Sequence, residues 1–396
     1  MTVPGPSSTG LAQVFLAKGS RVYVSGLLSI VIPFYLSVLK YDLFFQGIAL
    51  VAILAGNAFS NIAVTLLDAT FGKWRLLQAF SLLMIGSGIL LAADSSPLTI
   101  LFACFMGNIS TTGAEAGPFQ SIEAGVLPEL APPGVAVRVF GRYNLIGYSA
   151  AAAGTLTSSV PGVLGNGLWA FKAIFLAFSF VGLLLLLVYS RLGGIDAGPR
   201  PKLGTQTVGP AARKEIIWLS GLFSIDAFGG VFVSTYLLST WFHVTYGLQL
   251  AALGPLFSVA SVIAAASTYG AALIAERIGN LRTMVYTHLV SSTFLLLIAV
   301  AGSFLFAAAF LFLRQSFSQM DVPTRQALMT EMFQREERVP AYAVTNTVRA
   351  LGAFGGGPVA AGILASGFLS GILLVGGGTK VFYDLLIFLR YRKRFR

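Results

Sequence analysis

Polar residues in this chain are gathered into short connectors between long apolar stretches. Twelve such stretches occur, near 19–39, 43–66, 75–94, 97–117, 138–161, 168–191, 215–240, 248–275, 283–301, 303–322, 341–367 and 370–391. A bilayer's hydrocarbon core, about 30 Å thick, takes roughly 20 helical residues at about 1.5 Å each. Stretches such as Ile174–Val188 lack the period-two alternation of a membrane β-barrel. In hydrocarbon each backbone amide must be paired inside its own segment, so the stretches have to be helices. The pattern predicts an all-α polytopic membrane protein with twelve transmembrane helices.

Composition agrees. Hydrophobic residues make up 56% and charged residues 10%, with a mean hydropathy of +0.81, whereas soluble domains carry about 25% charged residues. The net charge of +11 is not a nucleic-acid patch, because of where the charges fall. Lys73 and Arg75 follow the second stretch, and Arg138 and Arg142 precede the fifth. Arg191, Arg200, Lys202, Arg213 and Lys214 fill the central connector. Arg277, Arg282, Arg335, Arg338 and the tail Arg390–Arg396 complete one face of an alternating topology. The other face has little beyond Lys40 and Lys172. The positive-inside rule then places both termini and the central connector in the cytoplasm of a cell-membrane protein. Met1–Gly10 lacks a charged start and a cleavage site, so the first span is expected to insert uncleaved.

The single cysteine, Cys104, makes no intrachain disulfide and no CxxC site. With it and only the distant His243 and His288, no soft-metal site is expected. Gly355–Gly357 lies inside an apolar stretch, the setting of close helix packing rather than phosphate binding. Neither an enzyme nor a cofactor is expected.

The longest polar connector, 193–213, divides the chain into 1–192 and 214–396, six stretches each. The halves echo one another. Asn108 precedes Glu115 by seven residues, as Arg314 precedes Asp321, and Pro118 and Pro323 follow. Glu129 and Glu331, Asn144 and Asn346, and Gly154 and Gly356 all stand 202 residues apart. Parallel repeats of this kind build two-half transporters.

Two loops sharpen the reading. Ala272-Leu-Ile-Ala-Glu276-Arg277-Ile-Gly279-Asn-Leu-Arg282 follows the eighth stretch, and Asp68-Ala-Thr-Phe-Gly72-Lys73-Trp-Arg75 follows the second. They resemble the G-x-x-x-D-[RK]-x-G-[RK] loop of the major facilitator superfamily, with Ala for the first Gly and Glu for Asp in the second half. The resemblance covers nearly the whole chain. It implies two pseudo-symmetric six-helix bundles rocking about a central cavity lined by the first, fourth, seventh and tenth helices. It also implies that Asp68, Gly72, Lys73, Arg75, Glu276, Arg277, Gly279 and Arg282 belong to a cytoplasmic gate. Gly352–Gly362, in the eleventh stretch, looks like the Gly-Pro motif that proton antiporters of the superfamily carry in the fifth span, but its place in the other half lends antiport no support.

A charge at bilayer depth costs at least about 2.5–3.5 kcal/mol, so buried ionisable residues are the functional candidates. Asp226 and Arg314 fall deep within the seventh and tenth stretches, where the resemblance implies they face each other across a cavity with Asn108 opposite. As a proton acceptor, Asp226 would hold its proton differently once separated from the arginine. A fixed ion pair between two helices is the other reading. Tyr35, Phe228, Phe232 and Tyr236 are expected to line a pocket for an amphipathic substrate. Glu115, Arg142, Asp321, Arg325 and Arg349 lie near helix ends where a gate would close, with Arg325 one turn from Asp321. Lys380 and Asp384, four apart, read as a structural pair on one face of the last helix, and His288 as a packing residue.

The resulting expectation is a monomeric secondary transporter of small organic molecules, exporting amphipathic compounds in exchange for protons. Few polar residues in the spans argue against a sugar. Uptake or exchange of an organic anion, bound by Arg314 and Arg21, is the alternative within transport. A non-transporting sensor or scaffold is the alternative outside it.

Overall fold

The computed structural model describes residues 8–113, 117–130, 136–192 and 209–394, and every regular element among them is a helix. In chain order these are α1 Ser8–Val38, α2 Leu43–Phe71, α3 Lys73–Ala93, α4 Pro97–Met106, α5 Pro118–Leu130, α6 Ala136–Thr157, α7 Val160–Val163 and α8 Leu168–Leu192. The second half adds α9 Pro210–Phe232, α10 Thr235–Tyr246, α11 Leu250–Ile278, α12 Asn280–Ala299, α13 Phe304–Ser318, α14 Asp321–Met332, α15 Arg335–Ser366 and α16 Ser370–Tyr391. Among the described residues, nine helical stretches are long and apolar enough to cross a membrane.

Four of the twelve expected crossings are interrupted; the fifth crossing divides between Thr157 and Val160. The fourth ends as a helix at Met106, and Asn108 follows at φ 49°, a left-handed conformation that asparagine tolerates better than most residues. The seventh divides at Val233, and Ser234 restarts it as an N-cap accepting from the Leu237 amide. The tenth divides between Ser318 and Asp321.

Two compact units emerge. One comprises the described residues of Met1–Arg200 with Leu248–Ser258, the other those of Pro201–Gly247 with Val259–Arg396. The start of α11 therefore groups with the first unit, where Ser258 Oγ donates to the Ala152 carbonyl at 2.9 Å, although the sequence places it within 214–396.

Within each unit the same devices recur. Gly72 joins α2 to α3 at φ 88°, ψ 150°, and Gly279 joins α11 to α12 at φ 85°, ψ 159°, a conformation essentially closed to other residues. Gly154 lets α6 lie on α1, since a Cβ there would overlap the Tyr23 carbonyl. Gly356 does the same for α15 on α9, where a Cβ would meet the Phe228 carbonyl at 2.9 Å. Outside the spans, the Asp94 carboxylate accepts from the Ser96 and Thr99 hydroxyls and the Ser96 amide at the start of α4. Those bonds, the Ser96 hydroxyl foremost, hold its pKa down at about 2.

Candidate functional site

The second unit gathers its buried charges around Asp226, two turns before the end of α9. Lys380 Nζ of α16 donates to Oδ1 at 2.9 Å. Arg325 Nη1 of α14 donates to Oδ2 at 3.3 Å and to Asp321 at 3.2 Å. Arg349 Nη2 of α15 stands 3.8 Å from Oδ2, and His288 Nε2 of α12 stands 3.7 Å from Oδ1. One carboxylate is thus the common counter-ion of cations on three other helices, with the His288 ring beside it. Asp226 is 4% exposed, and ions buried this far are tolerated only when paired and hydrogen-bonded.

His288 extends the cluster. Its Nδ1 lies 2.9 Å from both oxygens of Asp384, and its Nε2 lies 3.3 Å from Lys380 Nζ. An ammonium only donates, so Nε2 accepts and Nδ1 carries the hydrogen given to Asp384. The result is a continuous chain: Asp384, His288, Lys380, Asp226.

Small residues make this convergence possible. A Cβ at Gly229, one turn from Asp226, would meet the Lys380 stem at 3.2 Å, and one at Gly376 would meet Phe232 Cβ at 2.9 Å. Both let α16 press onto α9. Gly377 admits Leu296 of α12, which brings α12 and α16 close enough for the His288–Asp384 contact, and Gly352 sits against Ser224 to bring in α15. On the side of the Gly279 turn, Leu219, Leu222 and Phe223 of α9 pack with Met284, Leu328 and Ile387 in a continuous apolar core. Each of these helices carries its charged residue one to two turns from that core.

The first unit holds a counterpart of opposite polarity. Arg21 of α1 forms a two-pronged pair with Glu123 of α5, at 2.9 and 2.7 Å. Tyr143 and Tyr189 each donate to Glu123 at 2.6 Å, and Lys18 lies over the Tyr143 ring. Glu123 and Arg325 are 202 residues apart, as are Tyr189 and Tyr391, and Tyr391 donates to Glu215 at 2.7 Å. The helical positions repeat while the signs of the charges exchange.

Several expectations change. Asp226 pairs with Lys380 and Arg325, not with Arg314. Lys380 and Asp384 bond to Asp226 and His288 respectively rather than to each other, because their helix lies between α9 and α12. Asp321, Arg325 and Arg349, expected at a gate, join the Asp226 cluster. Arg314 is buried and donates to Gln315. Tyr35 is buried, with its hydroxyl 2.8 Å from that of Ser95 and its ring against Phe171 and Phe175. Phe232 and Tyr236 are buried, and Phe228 packs on Phe232. Asn108 donates weakly to Met106 at the helix break. Arg75, Arg142, Glu276, Arg277 and Arg282 are exposed, and Asp68 and Lys73 are half-buried. Glu115 lies outside the described residues. Glu123 was missed because a lone acid beside the Pro118 start of a short helix gives no periodic signal. His288 was undervalued because its partners are 92 and 96 residues distant.

Comparison with known proteins places the fold. The family model of the Major Facilitator Superfamily matches residues 14–357. The chain is 25% identical to the uncharacterized membrane protein YJR124C of Saccharomyces cerevisiae, over 95% of this chain and 92% of that one. Its fold matches the nucleoside transporter NupG, in a mutant form, with a TM-score of 0.74 at 10% identity, covering 96% of this chain and 99% of that one. It also matches a bacterial homolog of the human lysosomal transporter Spinster, inward-facing and unoccupied, with a TM-score of 0.68 at 13% identity and 97% of both chains covered.

Proposed function

We propose that this chain, which belongs to the major facilitator superfamily, is a proton-coupled secondary transporter that exports small amphipathic organic compounds by alternating access. The coupling rests on one observation, that Asp226 is the counter-ion shared by Arg325 of α14, Arg349 of α15 and Lys380 of α16. A proton on Asp226 cancels that charge. Lys380, Arg325 and Arg349 are then left as neighbouring cations without their shared counter-ion, and their mutual repulsion favours separation of α9 from the helices around it. Protonation and helix arrangement are thereby linked, as alternating access requires.

The proton has a route. From protonated Asp226, Lys380 passes a proton to Nε2 of His288, the imidazole gives its Nδ1 proton to Asp384, and Lys380 takes up the Asp226 proton, leaving a carboxylate at Asp226, an ammonium, a neutral ring and a carboxylic acid at Asp384. Exchange against protons running inward drives the solute outward. The 32 phenylalanines and the scarcity of polar side chains in the spans support an amphipathic cargo. The distribution of Lys and Arg supports a cell membrane with both termini inside, and a single chain suffices for the cycle.

The test is reconstitution in liposomes enclosing a pH dye, with an imposed proton gradient and a panel of amphipathic cations, neutral compounds and anions. Wild type is expected to move protons with one class, and Asp226→Asn to be silent with the same class. Solute movement indifferent to the gradient, or proton movement intact in Asp226→Asn, overturns the coupling.

A further inference from the structure

We infer that Arg314, together with Gln315, is the docking point for an anionic group (carboxylate, phosphate or sulfonate) on the transported compound. This rests on the chain being a transporter, but not on proton coupling.

Arg314 is 7% exposed, yet among the described residues no carboxylate lies within the 4.0 Å of an ion pair. Arg21, Arg325 and Lys380, buried to a similar degree, each have a carboxylate within 3.3 Å. The next acid along the chain, Asp321, is held by Arg325 at 3.2 Å. Arg314 spends one donor, Nη1, on Gln315 Oε1 at 3.0 Å, while its buried Nε has no acceptor.

Gln315 is fixed by the same contacts. Its Oε1 accepts from Arg314 and, at 2.6 Å, from Ser318 Oγ. An arginine only donates, so the amide cannot be turned the other way, and Nε2 is the atom left over. Arg314 Nε, Arg314 Nη2 and Gln315 Nε2 are therefore three donors, one pair of them on a planar guanidinium, without an acceptor of their own. Such a set matches a carboxylate or a phosphate and offers nothing to a cation. A buried guanidinium with no carboxylate in contact is costly, and an anion brought in by the cargo offsets that cost.

The full chain is placed in phosphatidylcholine nanodiscs and its melting temperature followed against naphthoate, naphthyl phosphate and naphthalenesulfonate. Naphthol and a naphthyl trimethylammonium serve as neutral and cationic counterparts, inorganic phosphate as the bare anion, and phosphatidylglycerol as the lipid source of one. The naphthyl anions are expected to raise the wild-type melting temperature, and the neutral and cationic compounds to leave it unchanged. Arg314→Gln is expected to bind the anions about tenfold or more weakly, with Arg314→Lys retaining part of the response. Without ligand, Arg314→Gln is expected to melt at or above the wild-type temperature, since it removes an unpaired buried charge. A purely structural arginine predicts the reverse. Undiminished anion binding in Arg314→Gln overturns the inference. So does a wild type that responds only to inorganic phosphate, to phosphatidylglycerol or to the cation. Anion movement without proton flux sinks the coupling and leaves this site standing, whereas proton flux driven by a cation alone does the opposite.

Discussion

Glu123→Gln in the first unit removes one charge and is expected to cost far more than an ordinary hydrogen bond. The carboxylate is 1% exposed and receives four short hydrogen bonds, two from Arg21 and one each from Tyr143 and Tyr189. A glutamine keeps one acceptor oxygen, and its amide turns a donor toward groups that themselves donate. The tyrosines can rotate their hydroxyls, but the guanidinium cannot reverse, and Lys18 stands close by on the Tyr143 ring at 4.2 Å. Leaving one member of a buried pair unpartnered costs about 3–5 kcal/mol. At roughly 2–4 °C per kcal/mol for a unit of this size, the melting temperature should fall by roughly 6–20 °C. The assay is heating in detergent followed by fluorescence-detected size exclusion. Arg21→Met with Glu123→Met is the control: replacing both charges by apolar groups of similar size should restore most of the loss. A fall below about 2 °C for Glu123→Gln, or a double variant weaker than the single one, would refute the reasoning.

Other outcomes follow from the same structure. Gly279→Ala meets no atom within 4 Å, so its expected cost of about 1–3 kcal/mol is the backbone conformation alone, measurable as a lowered melting temperature. Gly154→Leu, whose Cβ overlaps the Tyr23 carbonyl, should abolish the folded peak, while Gly141→Ala, which meets nothing within 4 Å, should leave stability within about 1 kcal/mol. His288→Gln keeps a donor toward Asp384 but carries no exchangeable proton charge. It should fold normally and reduce proton-coupled flux by about tenfold or more in the liposome assay, and unaltered flux would remove His288 from the route.

The contrast between the two charge clusters is itself informative. Glu123 is satisfied by neighbours that hold it from several sides, with one guanidinium matched to both oxygens, an arrangement with a single good geometry. Asp226 divides its two oxygens among more cations than it can fully serve, with Arg349 only at 3.8 Å.

Much of the site was legible residue by residue. Asp226 was identified by depth in an apolar stretch, and Asp321 with Arg325 by their i,i+4 spacing, which the structure shows as a 3.2 Å pair. Gly229, one turn from Asp226, lies against Lys380. The partners were not legible. Lys380 and Asp384 stand one turn apart, and local spacing alone pairs them with each other. The choice of Asp226 and His288 instead depends on α16 lying against both α9 and α12, a packing set by Gly229, Gly376 and Gly377 and not by helical period.

Hydrophobic length determined by itself that this is a helical, membrane-spanning chain. Those properties depend on transfer from water to hydrocarbon and on satisfying the backbone within a segment, and both are sums over neighbouring residues. Tertiary structure alone decided which buried charges meet, which helices break, and that Arg314 has no carboxylate within ion-pair distance among the described residues. A Coulomb interaction depends on distance in space, and side chains more than 90 residues apart come within 3 Å only after the helices have packed.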